Sequence, residues 1–257
     1  MMAMTAYSIL DLVPVVEGGT VPQALANAAD LAAHAESLGF TRFWVAEHHG
    51  MKGIASAATS VVIGHIAVAT QTIRVGAGGI MLPNHAPLVS AGQFGARAAL
   101  YPGRTDLGLG RAPGGDQRVA HAIRRTLDSD PNAFVRDIVE LQSYFADDGR
   151  TGISATPGAG ANVPFYILGS SLYGAQVAAL LGLPYAFASH FAPQMLDEAL
   201  HVYRSSFKPS AALNKPHVMA AMNIIAADSD EEAEFLASSI QQSFVGLRTG
   251  NPRQMQP

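Results

Sequence analysis

The sequence predicts an α/β protein built on a parallel sheet. Two observations carry this. Short apolar segments of strand character alternate with helix-period segments along the whole chain, and such a βαβα rhythm gives parallel strands joined by helical crossovers. The second is size: 257 residues, 49% of them hydrophobic and 14% charged, suffice for one large core. An α/β barrel reaches this length as a single domain, so one domain is expected over residues 1–257.

Residues 7–16 read as a first strand. Pro22 then opens a helix whose apolar positions Val21, Leu25, Ala28, Ala32 and Ala35 share one face, and Leu38-Gly39-Phe40 stops it. The apolar run 43–46 is the second strand, 57–69 a helix of small residues and 73–76 the third strand. A helix over 91–100 closes at Tyr101-Pro102-Gly103, and strand four covers 105–110. A helix over 131–145 follows, with Asp130 as its N-cap. Residues 149–162 are a Gly/Ala/Pro-rich loop. Beyond it come strand 164–168, helix 172–181, strand 185–189, helix 194–207, strand 217–226 and a helix over 230–247. This makes seven strand/helix units.

Composition narrows the function. A net charge of −4 argues against a nucleic-acid or anionic-membrane surface, which needs clustered Lys and Arg. The absence of cysteine excludes disulfides, thiol catalysis and Cys-ligated metals. None of the nine histidines has a zinc spacing, so no metal site is expected. The first ten residues lack a signal-peptide pattern and no apolar run is long enough to span a bilayer. The expectation is a soluble cytoplasmic protein.

Glu47-His48-His49 directly follows the second strand, at the end where parallel α/β proteins collect their chemistry. A carboxylate beside two imidazoles offers proton-transfer capacity near neutral pH. Gly76-Ala77-Gly78-Gly79 leaves strand three without side chains, which marks close approach of a flat ligand or tight helix packing. Arg111 follows strand four, where it can meet a phosphate or sit in a surface salt bridge. Gly169-Ser170-Ser171 lies between a strand and a helix start, fit for an anion or for simple N-capping.

With these motifs laid out, the chain resembles the bacterial luciferase-like monooxygenase family, in its group of short single-domain flavin-dependent oxidoreductases. The resemblance rests on Leu10-Asp11-Leu12-Val13-Pro14-Val15, Trp-Val-Ala-Glu-His-His and Gly-Gly-Ile-Met-Leu-Pro-Asn-His. It extends through Gly-Arg-Thr-Asp-Leu-Gly-Leu-Gly-Arg, Ile-Leu-Gly-Ser-Ser-Leu-Tyr-Gly-Ala-Gln and Leu-Pro-Tyr-Ala-Phe-Ala-Ser-His-Phe.

It implies a TIM (β/α)8-type barrel that binds reduced FMN, delivered by a separate flavin reductase, and uses O₂ to oxygenate a small organic substrate. It further implies His48 as the active-site histidine, with Glu47 and His49 beside it. Gly78-Gly79 matches a family position that often carries a non-proline cis peptide under the flavin ring. Gly169, Ser170, Ser171 and Arg111 match the phosphate-binding positions.

Family members usually carry an eighth strand and helix after the equivalent of residues 247–250. An incomplete barrel is therefore expected, with a gap between strands seven and one and self-association as a homo-oligomer. Two alternatives to the monooxygenase are a deazaflavin-dependent oxidoreductase of the same superfamily and a non-catalytic flavin-binding protein.

Overall fold

The computed structural model describes residues 5–112, 114–123, 130, 132–251 and 253–256. Seven parallel strands lie in sequence order in one curled sheet: β1 (Ser8–Asp11), β2 (Arg42–Val45), β3 (Arg74–Met81), β4 (Thr105–Gly110), β5 (Phe165–Gly169), β6 (Tyr185–Phe187) and β7 (Val218–Ala220). The helices are α1 (Val21–Ser37), α2 (Thr59–Ala69), α3 (Pro87–Leu100), α4 (Gln117–Ile123), α5 (Ala133–Ala146), α6 (Leu172–Leu181), α7 (Leu196–Ser206) and α8 (Asp230–Arg248). Among the described residues no strand joins β7 to β1, so the barrel is open where the sequence predicts a gap.

The pleat sorts side chains between two environments. Phe43, Val45, Val75, Leu107, Leu109 and Ile167 face the helices and form the main core with residues such as Ile63, Phe94, Ile138 and Ala178. The alternate residues Arg42, Trp44, Arg74, Asp106 and Tyr166 meet on the concave face. There the fully buried Asp106 accepts from Arg42 Nε at 3.0 Å, Trp44 Nε1 at 3.1 Å and Arg74 Nε at 2.9 Å. Arg42 also donates to the Tyr166 hydroxyl at 3.0 Å. These residues stand at or near the strand starts, so a satisfied polar network closes the floor of the barrel, opposite the carboxyl ends.

Several elements differ from the sequence reading. β1 is short because Val13 takes a left-handed φ of 53°, with its N–H held by Asp11 Oδ1 at 3.0 Å. β3 runs on through its glycines to Met81, with a register shift against β4 between Ala77 and Ile80. β6 and β7 are only three residues each. The predicted helix at 131–145 begins at Ala133 with Asn132 in the N-cap position; Asp130 instead accepts the Asn132 N–H at 2.8 Å, and Pro131 lies outside the described residues. The seven-residue α4 has no counterpart in the sequence reading.

At the carboxyl end of the sheet, α8 and the residues after it reach from β6 to β1. Phe244 of α8 lies 6.3 Å from Phe191, which follows β6. Met255 accepts the Glu17 N–H at 2.8 Å, and Gln254 donates to the Val15 carbonyl at 3.3 Å. No helix among the described residues is long and apolar enough to cross a membrane.

Candidate active site

β2 ends at Val45, and its next residues turn over the carboxyl end of the sheet. The backbone there is tied to both neighbours: Ala46 N–H donates to Asp11 O at 3.1 Å and Glu47 N–H to Gly79 O at 3.1 Å. The Glu47 side chain is fully buried. Its carboxylate accepts from His49 Nε2 at 2.7 Å, His85 Nε2 at 2.9 Å, Met81 N–H at 2.8 Å and Asn84 Nδ2 at 3.1 Å. Burial pushes the Glu47 carboxyl up, but the His85 hydrogen bond and charge, with Met81 and Asn84, outweigh it and hold it below its ordinary 4.5. The group is therefore an anion shared by two imidazoles.

A carboxylate can only accept. Both histidines must therefore present a protonated Nε2 to Glu47, which leaves Nδ1 as the nitrogen that faces away from the carboxylate. This fixes the tautomers of His49 and His85 by the logic that orients histidine in catalytic triads. His48 is different. Its Nδ1 is buried and has no hydrogen-bond partner among the described residues. Burial pulls its pKa below 6.5 against the attraction of Glu47, with His49 adding to the depression. Near neutral pH it is an uncharged imidazole.

The Gly78–Gly79 peptide is cis. A Cβ on Gly78 would stand 2.7 Å from Leu10 Cδ1 and 3.0 Å from Trp44 Cβ, and one on Gly79 2.7 Å from Gly108 O. The glycines of β3 are thus required by the barrel's own interior and neighbouring strand, not by a helix.

Arg111 is exposed just past β4, and its guanidinium lies 3.9 Å from the centre of the Tyr173 ring in the first turn of α6. Among the described residues it forms no ion pair with a carboxylate, so the salt-bridge alternative is not realised. Gly169 ends β5, and Ser171 occupies the N-cap position of α6 with extended backbone (φ −146°, ψ 169°). Its hydroxyl makes no capping hydrogen bond. Side-chain capping therefore does not account for this serine. Arg111 thus stands against the first turn of α6, the helix that Ser171 opens without a side-chain cap, and a helix start beside an arginine is a setting that suits an anion.

The structure thus places the predicted residues after two pairs of strands: Glu47, His48 and His49 after β2, with Glu47 bonded to residues after β3, and Arg111 after β4, with Gly169, Ser170 and Ser171 between β5 and α6. Sequence reasoning assigned no role to His85, Asn84 or Tyr173. His85 and Asn84 follow a strand just as Glu47 does, and that signal was available; Tyr173 carries none. Among the described residues, a buried imidazole nitrogen without a partner, and an arginine without a carboxylate partner against the first turn of the helix Ser171 opens, fit a phosphorylated, ring-bearing cofactor.

The class defined by this fold and site agrees with the family match. The chain belongs to the luciferase-like monooxygenase family, whose model matches residues 6–254. It is 57% identical over 253 residues to a luciferase-like monooxygenase of Escherichia coli K12, covering 98% of this chain and 76% of that protein. The structure of apo-MsnO8 superposes with a TM-score of 0.94 at 34% identity, covering 99% of this chain and 76% of that one. Two more distant structures, each 17% identical, share the fold. One is the oxygenating constituent of 3,6-diketocamphane monooxygenase from Pseudomonas putida, in complex with FMN (TM-score 0.72; 95% of this chain, 76% of that one). The other is an F420-dependent secondary alcohol dehydrogenase (TM-score 0.68; 84% of this chain, 68% of that one).

Proposed function

We propose that this chain is the oxygenase component of a two-component flavin monooxygenase, taking reduced FMN from a separate reductase and using O₂ to oxygenate a small organic substrate. The observation that carries the reading is the Arg111 guanidinium over the Tyr173 ring, in the first turn of the helix that Ser171 opens without a side-chain cap. Reduced flavin, when bound, supplies the electrons that activate O₂.

The chain's residues bind, orient and move protons. Arg111, Ser170, Ser171 and the α6 N-terminus hold the phosphate. Gly78 and Gly79 keep the β3 wall free of side chains. His48 offers a neutral, water-shielded Nδ1 to the reacting atoms, where it accepts or holds a proton. Glu47 acts as a positioning residue for His49 and His85, whose Nδ1 atoms are the next bases in reach of the site.

The fold shared with an F420-dependent enzyme supports one alternative, hydride transfer with a deazaflavin. Among the described residues the outer edges of β1 and β7 are unpaired, which supports self-association; light scattering reads it directly. The discriminating experiment is an absorbance titration with FMN and reduced FMN, followed by O₂ consumption with NADH and a flavin reductase. Saturable uptake, tighter for reduced FMN, with reductase-dependent O₂ consumption is expected. Turnover with reduced deazaflavin and none with reduced FMN would overturn the monooxygenase reading.

A further inference from the structure

Among the described residues, two histidines carry a buried Nδ1 without a hydrogen-bond partner, and both follow strands at the carboxyl end of the sheet. One is His48. The other is His190, to which neither the sequence reading nor the site described above gives a role. A buried polar atom that finds no partner in its own chain calls for a partner from elsewhere.

The backbone that carries His190 is pinned. Ala188 N–H donates to Gly169 O at 2.9 Å, which fastens the segment to the end of β5. The Ala188 carbonyl accepts the N–H groups of Phe191 and Ala192, both at 3.0 Å. Ser189 donates from Oγ to Ala221 O at 2.6 Å and accepts the Ala221 N–H at 3.1 Å, which fastens it to the segment after β7. His190 is therefore presented by a turn tied on both sides, next to Gly169-Ser170-Ser171. Burial also holds its imidazole below 6.5, so the ring is neutral near pH 7 and its Nδ1 can donate or accept according to tautomer.

We propose that His190 is a cofactor-binding residue whose buried Nδ1 hydrogen-bonds the ribityl-phosphate arm of the flavin. This rests on the flavin reading, but not on the choice between FMN and a deazaflavin, because both carry that arm. The position follows from the fold: the phosphate residues lie on β4 and β5, and β6 is the next strand beyond β5.

Two substitutions separate a hydrogen bond at Nδ1 from simple bulk. Asn places an amide atom close to where Nδ1 stands, whereas Gln places it where Nε2 stands. Titrations of the full chain by flavin absorbance, with FMN, riboflavin and lumiflavin, give the readout. H190Q and H190A are expected to weaken FMN by about tenfold, one hydrogen bond's worth, and to leave lumiflavin, which lacks the arm, unchanged. H190N should stay close to wild type. Riboflavin then assigns the bond: a loss matching FMN puts it on the ribityl hydroxyls, and no loss puts it on the phosphate. Equal weakening of lumiflavin, unchanged FMN affinity in H190Q, or H190N as weak as H190A would each overturn the proposal. Wild-type protein that takes up no flavin at all would sink the functional reading itself, a result distinct from these.

Discussion

The Nε2 of His85 stands 2.9 Å from the carboxylate of Glu47, although the two residues come from the ends of different strands. With His49 at 2.7 Å on the other oxygen, one anion orients two bases. Glu47→Gln should break this arrangement, because an amide nitrogen would confront one imidazole N–H with another donor. The expected cost is about 1–3 kcal/mol in urea unfolding, with at least one histidine leaving the Nε2–H tautomer. Nitrogen-15 shifts of labelled histidine report the tautomer. Unchanged shifts for both rings would mean that Glu47 does not orient them.

Arg111→Ala should weaken FMN by about 1.5–3 kcal/mol, the weight of a charge-assisted contact, and riboflavin far less. The Arg111–Tyr173 contact adds a control. Tyr173→Leu removes the ring under the guanidinium and should give a smaller loss in the same direction. Equal losses for both flavins would take Arg111 out of the phosphate site.

Asp106 has a structural task that activity assays alone would misread. Asp106→Ala leaves Arg42, Arg74 and the Trp44 indole without their shared acceptor, at a cost of about 3–5 kcal/mol. Trp44 is the single tryptophan, so its emission reports the same event. A variant with wild-type stability and emission would contradict the network described for the barrel floor.

Gly108 should tolerate no side chain. A Cβ there would run into the Ala77 carbonyl and stand 2.6 Å from Leu168 Cδ1. Gly108→Ala is expected to cost about 1–3 kcal/mol by overpacking. By contrast Gly92→Ala, where a Cβ meets nothing within 4 Å, should be neutral or stabilising. Unfolding midpoints that rank the two the other way would refute this reading.

Acid should destabilise the protein in two stages. Burial holds His48, His190 and His217 below 6.5; Glu47 opposes it at His48, while His49 there and Arg42 at His217 add to it. Each binds its proton more weakly folded than unfolded, so its contribution is complete above pH 6.5 and is lost as pH falls from there through the folded value. The carboxylates follow. Glu36 is pulled to about 2, its partial burial outweighed by the N–H groups of Ile73, Thr72 and Gln71. Its contribution is present above 4.5 and disappears as pH falls toward 2. Urea midpoints should drop between pH 7 and 5 and again below 4.5, with His48→Gln flattening the first limb and Glu36→Gln the second.

The sequence by itself determined the alternation of elements, and from it the parallel sheet, the seven units and the open side. These are local signals: the helical period along α1, the matching ends of β4 and α6, and polar residues placed just after strands. It also pointed to Glu47, His48, Arg111 and Ser170-Ser171, because strand ends mark where chemistry collects. Only the tertiary structure decided which of these groups meet. His85 is 38 residues from Glu47, and the bond exists because β2 and β3 are neighbours. The short β1 and the long glycine-bearing β3 were likewise illegible, since Val13 is held at positive φ by Asp11 and the β3 glycines are required by Leu10, Trp44 and Asp106 from other strands. Local periodicity encodes elements. Pairing, burial and the orphaned nitrogens of His48 and His190 arise from contacts between elements, which no local window contains.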